Sequence, residues 1–148
     1  MKDKTIEYVI RTTWLAVHKM YNEEASKFGS TMATGFTLLS IDPENGTPST
    51  ALGPKMGMEA TSLSRILKSM DEKGLIERKP NPDDGRGVLI HLTDFGREKR
   101  ALSREKVLLF NEVIRKQISE EKINHFYEVA ETINDLISNK KIYDQNNS

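Results

Sequence analysis

Hydroxyl and basic side chains between residues 61 and 68 are the part of this chain best suited to contact another molecule. They share one face of a helix predicted over 59–73, whose opposite face is aliphatic. Hydroxyls can bond phosphate oxygens or base edges, an arginine can bind guanine O6 and N7, and a lysine suits a phosphate. A solvated amphipathic helix fits the same pattern. The polar face consists of Thr61, Ser62, Ser64, Arg65, Lys68 and Ser69.

A basic hairpin is predicted directly after this helix, which stops at Gly74. Two short strands, 75–79 and 88–92, flank a loop at 80–87 that is rich in turn residues. Arg78 enters this hairpin and Arg86 lies at its tip, where a guanidinium could insert into a narrow minor groove. Asp84 could orient that guanidinium or a base, although an ordinary Asx-rich turn is an alternative. A helix followed by a basic ribbon is typical of a winged helix-turn-helix.

The other elements that position these groups are predicted to be helical. Apolar residues recur at helical spacing from Thr5 to Phe28, and again after a cap at Ser30 or Thr31. Further helices are predicted from Thr47-Pro48 to Gly57, from Thr93-Asp94 to about Lys116, and after Ser119. The fold class is therefore mainly α with a small β-hairpin wing, and with long terminal helices. The apolar stripes of those terminal helices are broad and need a partner surface, which either a second copy or packing within one chain could supply.

Composition excludes several kinds of site. The 148 residues contain no cysteine, which rules out disulfides, thiolate zinc sites and cysteine-based oxidation sensing. The three histidines lack metal-ligand spacing, and we find no nucleophile–base constellation or phosphate-binding glycine loop. We therefore expect no metal, no cofactor and no enzymatic activity. No signal peptide or membrane-spanning run is recognisable, so we expect a cytoplasmic protein without a membrane partner.

The charge distribution gives only mild support to nucleic-acid binding. The formal net charge is zero, but residues 55–100 carry 10 basic and 8 acidic side chains. Binding would therefore depend on cations gathered on one face and on two such faces in a symmetric dimer. The neutral total favours an alternative function, a winged-helix protein-interaction module without specific DNA binding. The combined presence of Arg65, Arg78 and Arg86 argues against that alternative.

Taken together, these motifs resemble the MarR family of bacterial transcription regulators over nearly the whole chain. In that family an aspartate-x-arginine motif marks the wing, and leucine-threonine-x-x-glycine opens the next helix. The matching runs are Ser62-Leu-Ser-Arg65, Leu67-x-x-Met70-x-x-x-Gly74-Leu-Ile-x-Arg78, Asp84-Gly-Arg86 and Leu92-Thr93-x-x-Gly96.

The resemblance implies a single domain over 1–148 that acts as a homodimeric regulator, most often a repressor. Residues 1–29 and 94–140 would be dimerisation helices, 30–93 the DNA-binding head and 141–148 a polar tail. Two heads would occupy successive major grooves of a near-palindromic double-stranded DNA operator. The expected DNA-binding residues are Lys55, Thr61, Ser62, Ser64, Arg65, Lys68, Arg78, Asp84 and Arg86.

One stretch departs from the family pattern. Family members usually carry a leucine-alanine pair in an unbroken third helix, whereas this chain has Leu52-Gly53-Pro54-Lys55. Proline inside a helix removes a hydrogen bond and clashes with the preceding turn, at a cost of about 3 kcal/mol or more. We therefore predict a helix that is very short or breaks at Gly53, with Lys55 near the DNA backbone.

The resemblance also implies a small effector, frequently aromatic or anionic, that weakens DNA binding. Nothing in the sequence identifies this molecule. The expected crevice lies between the dimer helices and the head, and plain core packing is the alternative role of its residues. The candidate lining residues are Trp14, His18, Met32, Phe36 and Met70.

Overall fold

The computed structural model describes residues 4–144, apart from the side chain of Arg86. These residues form six helices and three strands, which confirms the predicted fold class. The chain divides into two compact units, Met1–Glu105 and Lys106–Ser148. The elements in order are α1 (Ile6–Ser26), α2 (Met32–Ser40), β1 (Thr47–Pro48), α3 (Ser49–Met56), α4 (Ala60–Glu72), β2 (Ile76–Asn81), β3 (Asp84–Leu92), α5 (Asp94–Gln117) and α6 (Glu120–Ser138).

The first unit contains a hydrophobic core built from α2, α3, α4 and the small sheet. The sheet has the strand order β1-β3-β2, and both pairings are antiparallel. One face of each helix supplies apolar residues at helical spacing, and these meet the inward face of the strands. The fully buried members include Leu38, Ile41, Leu52, Met70, Ile76 and Ile90.

Glycines follow the ends of three helices in this unit, and Gly57 and Gly74 do so as predicted. Gly29, Gly57 and Gly74 all have positive φ, the left-handed conformation that a glycine adopts without steric cost. At the end of α4 the N–H of Leu75 donates to the Met70 carbonyl oxygen at 2.9 Å. This bond satisfies a carbonyl that the helix itself leaves free, and it turns the chain directly into β2.

The prediction that a helix starts at Thr47-Pro48 is wrong, because these residues belong to a strand and the helix begins one residue later than predicted. These two residues form β1, where Thr47 pairs with Ile90 and Pro48 with Leu89, and α3 begins at Ser49. The Thr47 hydroxyl accepts from the N–H of Asp42 at 2.8 Å, so it closes the preceding turn instead of capping a helix. Pairing with β3 decided this segment, and no local pattern reveals that pairing.

The predicted loop at 80–87 is also too long. Both strands extend into it, and the turn contains only Pro82 and Asp83. Proline is tolerated at position 80 because β2 is an edge strand, and the register shifts between Pro80 and Asn81. Arg86 therefore belongs to β3 and not to the turn itself, and it lies three residues after Asp83, between the Asn81–Asp84 and Pro80–Val88 pairs.

Helix α3 is short, with eight residues, but it passes through Gly53 and Pro54 without a break. Of the two predicted outcomes, a very short helix or a break at Gly53, the break is therefore wrong. The proline removes only the bond that its N–H would have donated to Thr50, which lies on the exposed surface. Gly53 serves close packing instead, since a Cβ there would lie 3.1 Å from the Met58 carbonyl oxygen.

The second unit consists of the end of α5 and all of α6. The Ser119 side chain caps α6 by accepting from the N–H of Lys122 at 3.3 Å. The Arg115 guanidinium donates to the Tyr127 hydroxyl at 3.1 Å, which links the two helices. Among the helices of residues 4–144, none is both long and apolar enough to cross a membrane.

Candidate nucleic-acid interface

Helix α4 has one buried apolar face and one exposed face of polar and basic side chains. Leu63, Leu67 and Met70 are buried against the core of the first unit. The predicted contact residues Thr61, Ser62, Ser64, Arg65 and Lys68 are all exposed. Within the described part of the chain, neither Arg65 nor Lys68 forms an ion pair. Both cations are therefore available to an anionic partner such as a phosphate backbone.

The hairpin is joined to α4 by an ion pair that the sequence analysis missed. The Arg78 Nε of β2 lies 3.6 Å from the Asp71 Oδ2 in the last turn of α4. Both side chains are roughly half exposed, so the pair stabilises the fold weakly. Its effect is to hold the Arg78 guanidinium against α4. The sequence offered one signal for this ion pair. Asp71 lies in the last turn of the helix, seven positions before Arg78 in the strand.

The tip of the hairpin is arranged by a short polar turn. The Asn81 side-chain oxygen accepts from the N–H of Asp83 at 3.0 Å, which forms an Asx turn. Asp84 is exposed and pairs across the hairpin with Asn81. The Arg86 side chain lies outside the described residues, so the predicted partnership between Asp84 and Arg86 stays a prediction.

Lys55 has a contact inside the protein. Its Nζ donates to the Ser40 carbonyl oxygen at 3.2 Å, at the C-terminal end of α2, where the helix dipole favours a cation. The carboxylate of Asp42 lies nearby. Backbone hydrogen bonds from Glu44 and Asn45 are the main causes that lower the pKa of Asp42, and the positive charge of Lys55 is a smaller one. The side chain is exposed but is engaged in joining α3 to α2.

The start of α5 is attached to the end of α4 by the residues of the leucine-threonine-x-x-glycine motif. The Thr93 hydroxyl donates to the Gly74 carbonyl oxygen at 2.6 Å and accepts from the N–H of Gly96 at 2.9 Å. A Cβ at Gly96 would overlap the Leu75 carbonyl oxygen. Only glycine allows this close approach, so the motif positions α4 and the hairpin relative to the first turns of α5.

The structure brings together only some of the predicted effector residues. Trp14 and His18 contact each other edge to face on α1, with ring centroids 6.1 Å apart, and both are exposed. Phe36 of α2 packs on Tyr21 of α1 in the same manner, at 5.6 Å. Met70, in contrast, is fully buried in the core of the first unit.

Two residues of α1 that the sequence analysis did not select join α1 to α2. The Asn22 side-chain oxygen accepts from the N–H of Met32 at 3.0 Å, while its amide lies 3.2 Å from the Nδ1 of His18. Burial raises the pKa of the neighbouring Tyr21 hydroxyl. These contacts place His18 and Met32 on the same side of the helix pair.

Sequence comparison shows which known proteins this chain is similar to. A model of the MarR family matches residues 31–88. The regulator SarZ of Staphylococcus saprophyticus is 28% identical over 116 residues, which cover 75% of this chain and 80% of SarZ. The multiple antibiotic resistance protein MarR of Escherichia coli is 35% identical over 78 residues, 53% of this chain and 54% of MarR. The matched segment also spans 44% of the Bacillus subtilis regulator YdgJ, so for some relatives it is about half of their length.

Solved structures of related proteins share the fold. The Staphylococcus aureus MepR–DNA complex has a TM-score of 0.80 at 20% identity, covering 88% of this chain and 97% of MepR. Streptomyces coelicolor PcaV in complex with its natural ligand has a TM-score of 0.76 at 19% identity, covering 89% of this chain and 93% of PcaV. The relatives and neighbours are transcription regulators, which agrees with the expectation that this chain is not an enzyme.

Proposed function

We propose that this chain is a winged-helix transcription regulator of the MarR family, and that it binds DNA as a homodimeric repressor in the cytoplasm. The observation that carries this proposal is the exposed polar face of α4, with Arg65 and Lys68 unpaired among the described residues. A hairpin that carries Arg78 is attached beside this face. The MepR structure and one MarR structure are complexes with DNA, which supports the same role for this chain.

We also propose a role for each segment of the chain. Residues 30–93 would form the DNA-binding head within one domain, residues 1–29 and 94–140 the dimerisation helices, and residues 141–148 a tail. Helix α1 supports this assignment because it has no buried residue, although many of its apolar side chains are large. Apolar surface of that extent is expected to be covered by a second copy.

Within the head, each contact residue has a proposed task. Arg65 would read a guanine, while Thr61, Ser62, Ser64 and Lys68 would contact phosphates or base edges from α4. Arg78 and Asp84 would support the wing, and Arg86 would enter the minor groove. Lys55 would approach the DNA backbone only by leaving its bond to Ser40.

The most specific part of the proposal is a small effector whose binding releases the DNA. The candidate crevice would use Trp14, His18, Met32 and Phe36, which lie on the neighbouring helices α1 and α2. Met70 would contribute from the core beneath, if the head shifts on binding. PcaV was solved with its natural ligand, which supports a ligand site in this family.

The test of DNA binding is a fluorescence anisotropy titration with the DNA upstream of the gene for this protein, at about 0.15 M salt. We expect tight, sequence-dependent binding. Arg65→Ala should lower the affinity for the preferred site by about 1–3 kcal/mol and relax the preference at one base. Arg104→Ala is the matched control, because it removes an exposed arginine from α5, outside the proposed interface.

Three outcomes decide between this proposal and the protein-interaction alternative. Uniformly weak binding that is independent of sequence would contradict the proposal. Equal losses of DNA affinity for Arg65→Ala and Arg104→Ala would show that α4 does not contact the DNA. Lys68→Ala should weaken all DNA sequences alike and reduce the salt slope by about one, as loss of a phosphate contact requires.

A further inference from the structure

The segment that carries the proposed DNA contacts is electrically neutral, although DNA is a polyanion. Residues 59–92, which include α4 and the hairpin, carry six basic and six acidic side chains. Binding that is independent of sequence comes from cations that neutralise phosphates, and acidic side chains beside those cations oppose it. The positions of the acidic residues therefore decide how many cations of this segment remain available to DNA.

The Arg78 guanidinium of β2 is paired with a carboxylate, unlike the two cations on the exposed face of α4. Among the residues that the structure describes, Arg65 and Lys68 form no ion pair. The Arg78 Nε lies 3.6 Å from the Asp71 Oδ2, and both side chains are roughly half exposed. The Asp71 carboxylate therefore competes with any phosphate for the same guanidinium.

The other basic residue of β2 has the same arrangement. The Lys79 Nζ lies 3.9 Å from the Glu77 Oε2, and both side chains are exposed. These two residues are two positions apart, so they lie on one face of the strand. Within the part of the chain that the structure describes, β2 therefore contributes no unpaired cation.

The stability of α4 does not account for Asp71. This residue lies in the last turn of α4 together with Glu72, and that turn contains no basic residue. The helix dipole disfavours carboxylates there, whereas the last turn of α5 contains Arg115 and Lys116, as the dipole favours. An exposed ion pair stabilises a fold only weakly, so the bond to Arg78 does little more than offset this disadvantage.

We propose that Asp71 and Glu77 restrain sequence-independent binding to DNA by pairing with the two cations of β2. Asp71 has the larger effect, because its pair is shorter and because it lies three positions after Lys68, on the same side of α4. A complex on an arbitrary sequence is held by phosphate contacts, so each withheld cation weakens it.

A preferred site differs from an arbitrary sequence in this respect. There the base contacts of α4 fix the position of the protein, so a freed side chain of β2 reaches a phosphate less readily. The two carboxylates would therefore raise the ratio of specific to non-specific affinity, which decides occupancy among many competing sites. This role rests on the proposed function, because it concerns the same interface.

The test compares Asp71→Asn with the wild-type protein on two DNA duplexes of equal length, one of random sequence and one from upstream of the gene. Fluorescence anisotropy titrations between about 0.05 and about 0.2 M salt give the affinities and the salt slopes. We expect the variant to bind the random duplex about fivefold more tightly at the lowest salt concentration. Its salt slope should be steeper by about 0.9, as one additional phosphate contact requires.

The same titrations measure specificity and the second carboxylate. The affinity of Asp71→Asn for the upstream duplex should rise less than its affinity for the random duplex, so the preference between them falls. Glu77→Gln should act in the same direction with a smaller effect, because the ion pair that it removes is longer. Equal gains of Asp71→Asn on the two duplexes would overturn the role in specificity.

Matched variants separate release of Arg78 from a change in net charge. Asp71→Asn combined with Arg78→Gln removes both members of the pair, so the gain on the random duplex should disappear. Glu98→Gln removes an exposed carboxylate of α5 and measures the effect of net charge alone. A gain that survives in the double variant, or an equal gain for Glu98→Gln, would overturn the proposal. Circular dichroism of each variant shows whether it is folded.

The two duplexes also separate this role from the proposed function. A wild-type protein that binds both duplexes equally contradicts a sequence-specific regulator, whatever the variants do. An Asp71→Asn protein with unchanged affinity for the random duplex contradicts the restraint, even where the upstream duplex is bound specifically. Weaker binding of both duplexes by this variant would contradict it as well, since Asp71 would then only support the hairpin.

Discussion

The winged head and helix α1 use their apolar residues in opposite ways. In the head, Leu52, Met70 and Ile90 are fully buried. In α1 no residue is buried, and Ile10 and Leu15 expose 51% and 56% of their surface. Burial of apolar surface contributes about 25 cal/mol per Å², so the head is stabilised by its own core. The same energy is available to α1 only through a partner surface.

Helix α6 resembles α1 in this respect. Its Phe126, Val129 and Ile137 expose 66%, 56% and 58% of their surface, while Ile123 is buried. The head is therefore stabilised by its own core, whereas α1 and α6 expose apolar surface that the proposed dimer would cover.

The largest effect is expected in the core of the head. Leu52→Ala leaves a cavity around a fully buried side chain, so it should lower the free energy of unfolding by about 2–5 kcal/mol. Urea denaturation followed by circular dichroism measures this loss. Thr50→Ala, an exposed change in the same helix, should stay within about 0.5 kcal/mol. Similar losses for both variants would show that the core has been misassigned.

The next effect concerns the exposed stripe of α1. Ile10→Glu places a carboxylate on this stripe, so it should raise the dissociation constant of the proposed dimer at least tenfold, which is about 1.4 kcal/mol. Sedimentation equilibrium over a dilution series measures the constant. Lys19→Glu changes the charge of an exposed polar position on the same helix and serves as the control. A wild-type protein that is monomeric throughout the series would contradict the dimer.

A smaller effect is expected where α5 meets the head. Thr93→Val removes the hydroxyl that caps α5 and bonds the Gly74 carbonyl, so it should cost about 1 kcal/mol of stability. Thr132→Val also removes a threonine hydroxyl, but within residues 4–144 that group bonds only the Glu128 carbonyl within α6. Thermal unfolding should show a clear loss for the first variant and almost none for the second. The reverse order would refute a positioning role of Thr93.

The smallest effect belongs to a turn of the head. The backbone N–H groups of Glu44 and Asn45 donate to the Asp42 carboxylate at 2.9 and 3.1 Å, and they hold its pKa below the ordinary value. Because the folded pKa is depressed, the contribution of Asp42 is present above the unfolded value of about 3.9. It is lost as the pH falls through the folded pKa. A carboxyl ¹³C titration that gave an ordinary value for Asp42 would contradict these hydrogen bonds.

The helix ends of this protein could be predicted closely from sequence. Thr31 caps α2, and Ser119 caps α6 where the last helix was expected to begin. Thr5 caps α1, although the sequence analysis did not single it out. Gly57 and Gly74 end α3 and α4. These signals are reliable because a cap or a stop satisfies backbone groups within the same few residues.

The contacts of the candidate interface were harder to predict. The exposure of Arg65 followed from the helical spacing of Leu63 and Leu67, since period and burial are linked on one helix. The ion pair of Arg78 with Asp71 and the bond from Lys55 to Ser40 could not be inferred, because each joins different elements. Their partners are set by how the elements pack.

The helices, most of their ends and the polar face of α4 could be read from the sequence, because each depends on interactions within a few residues of the chain. Tertiary structure alone decided that Thr47-Pro48 pairs with β3 and that α3 continues through Pro54. These features depend on segments that are distant in sequence, so packing and backbone pairing prevail over local preference there.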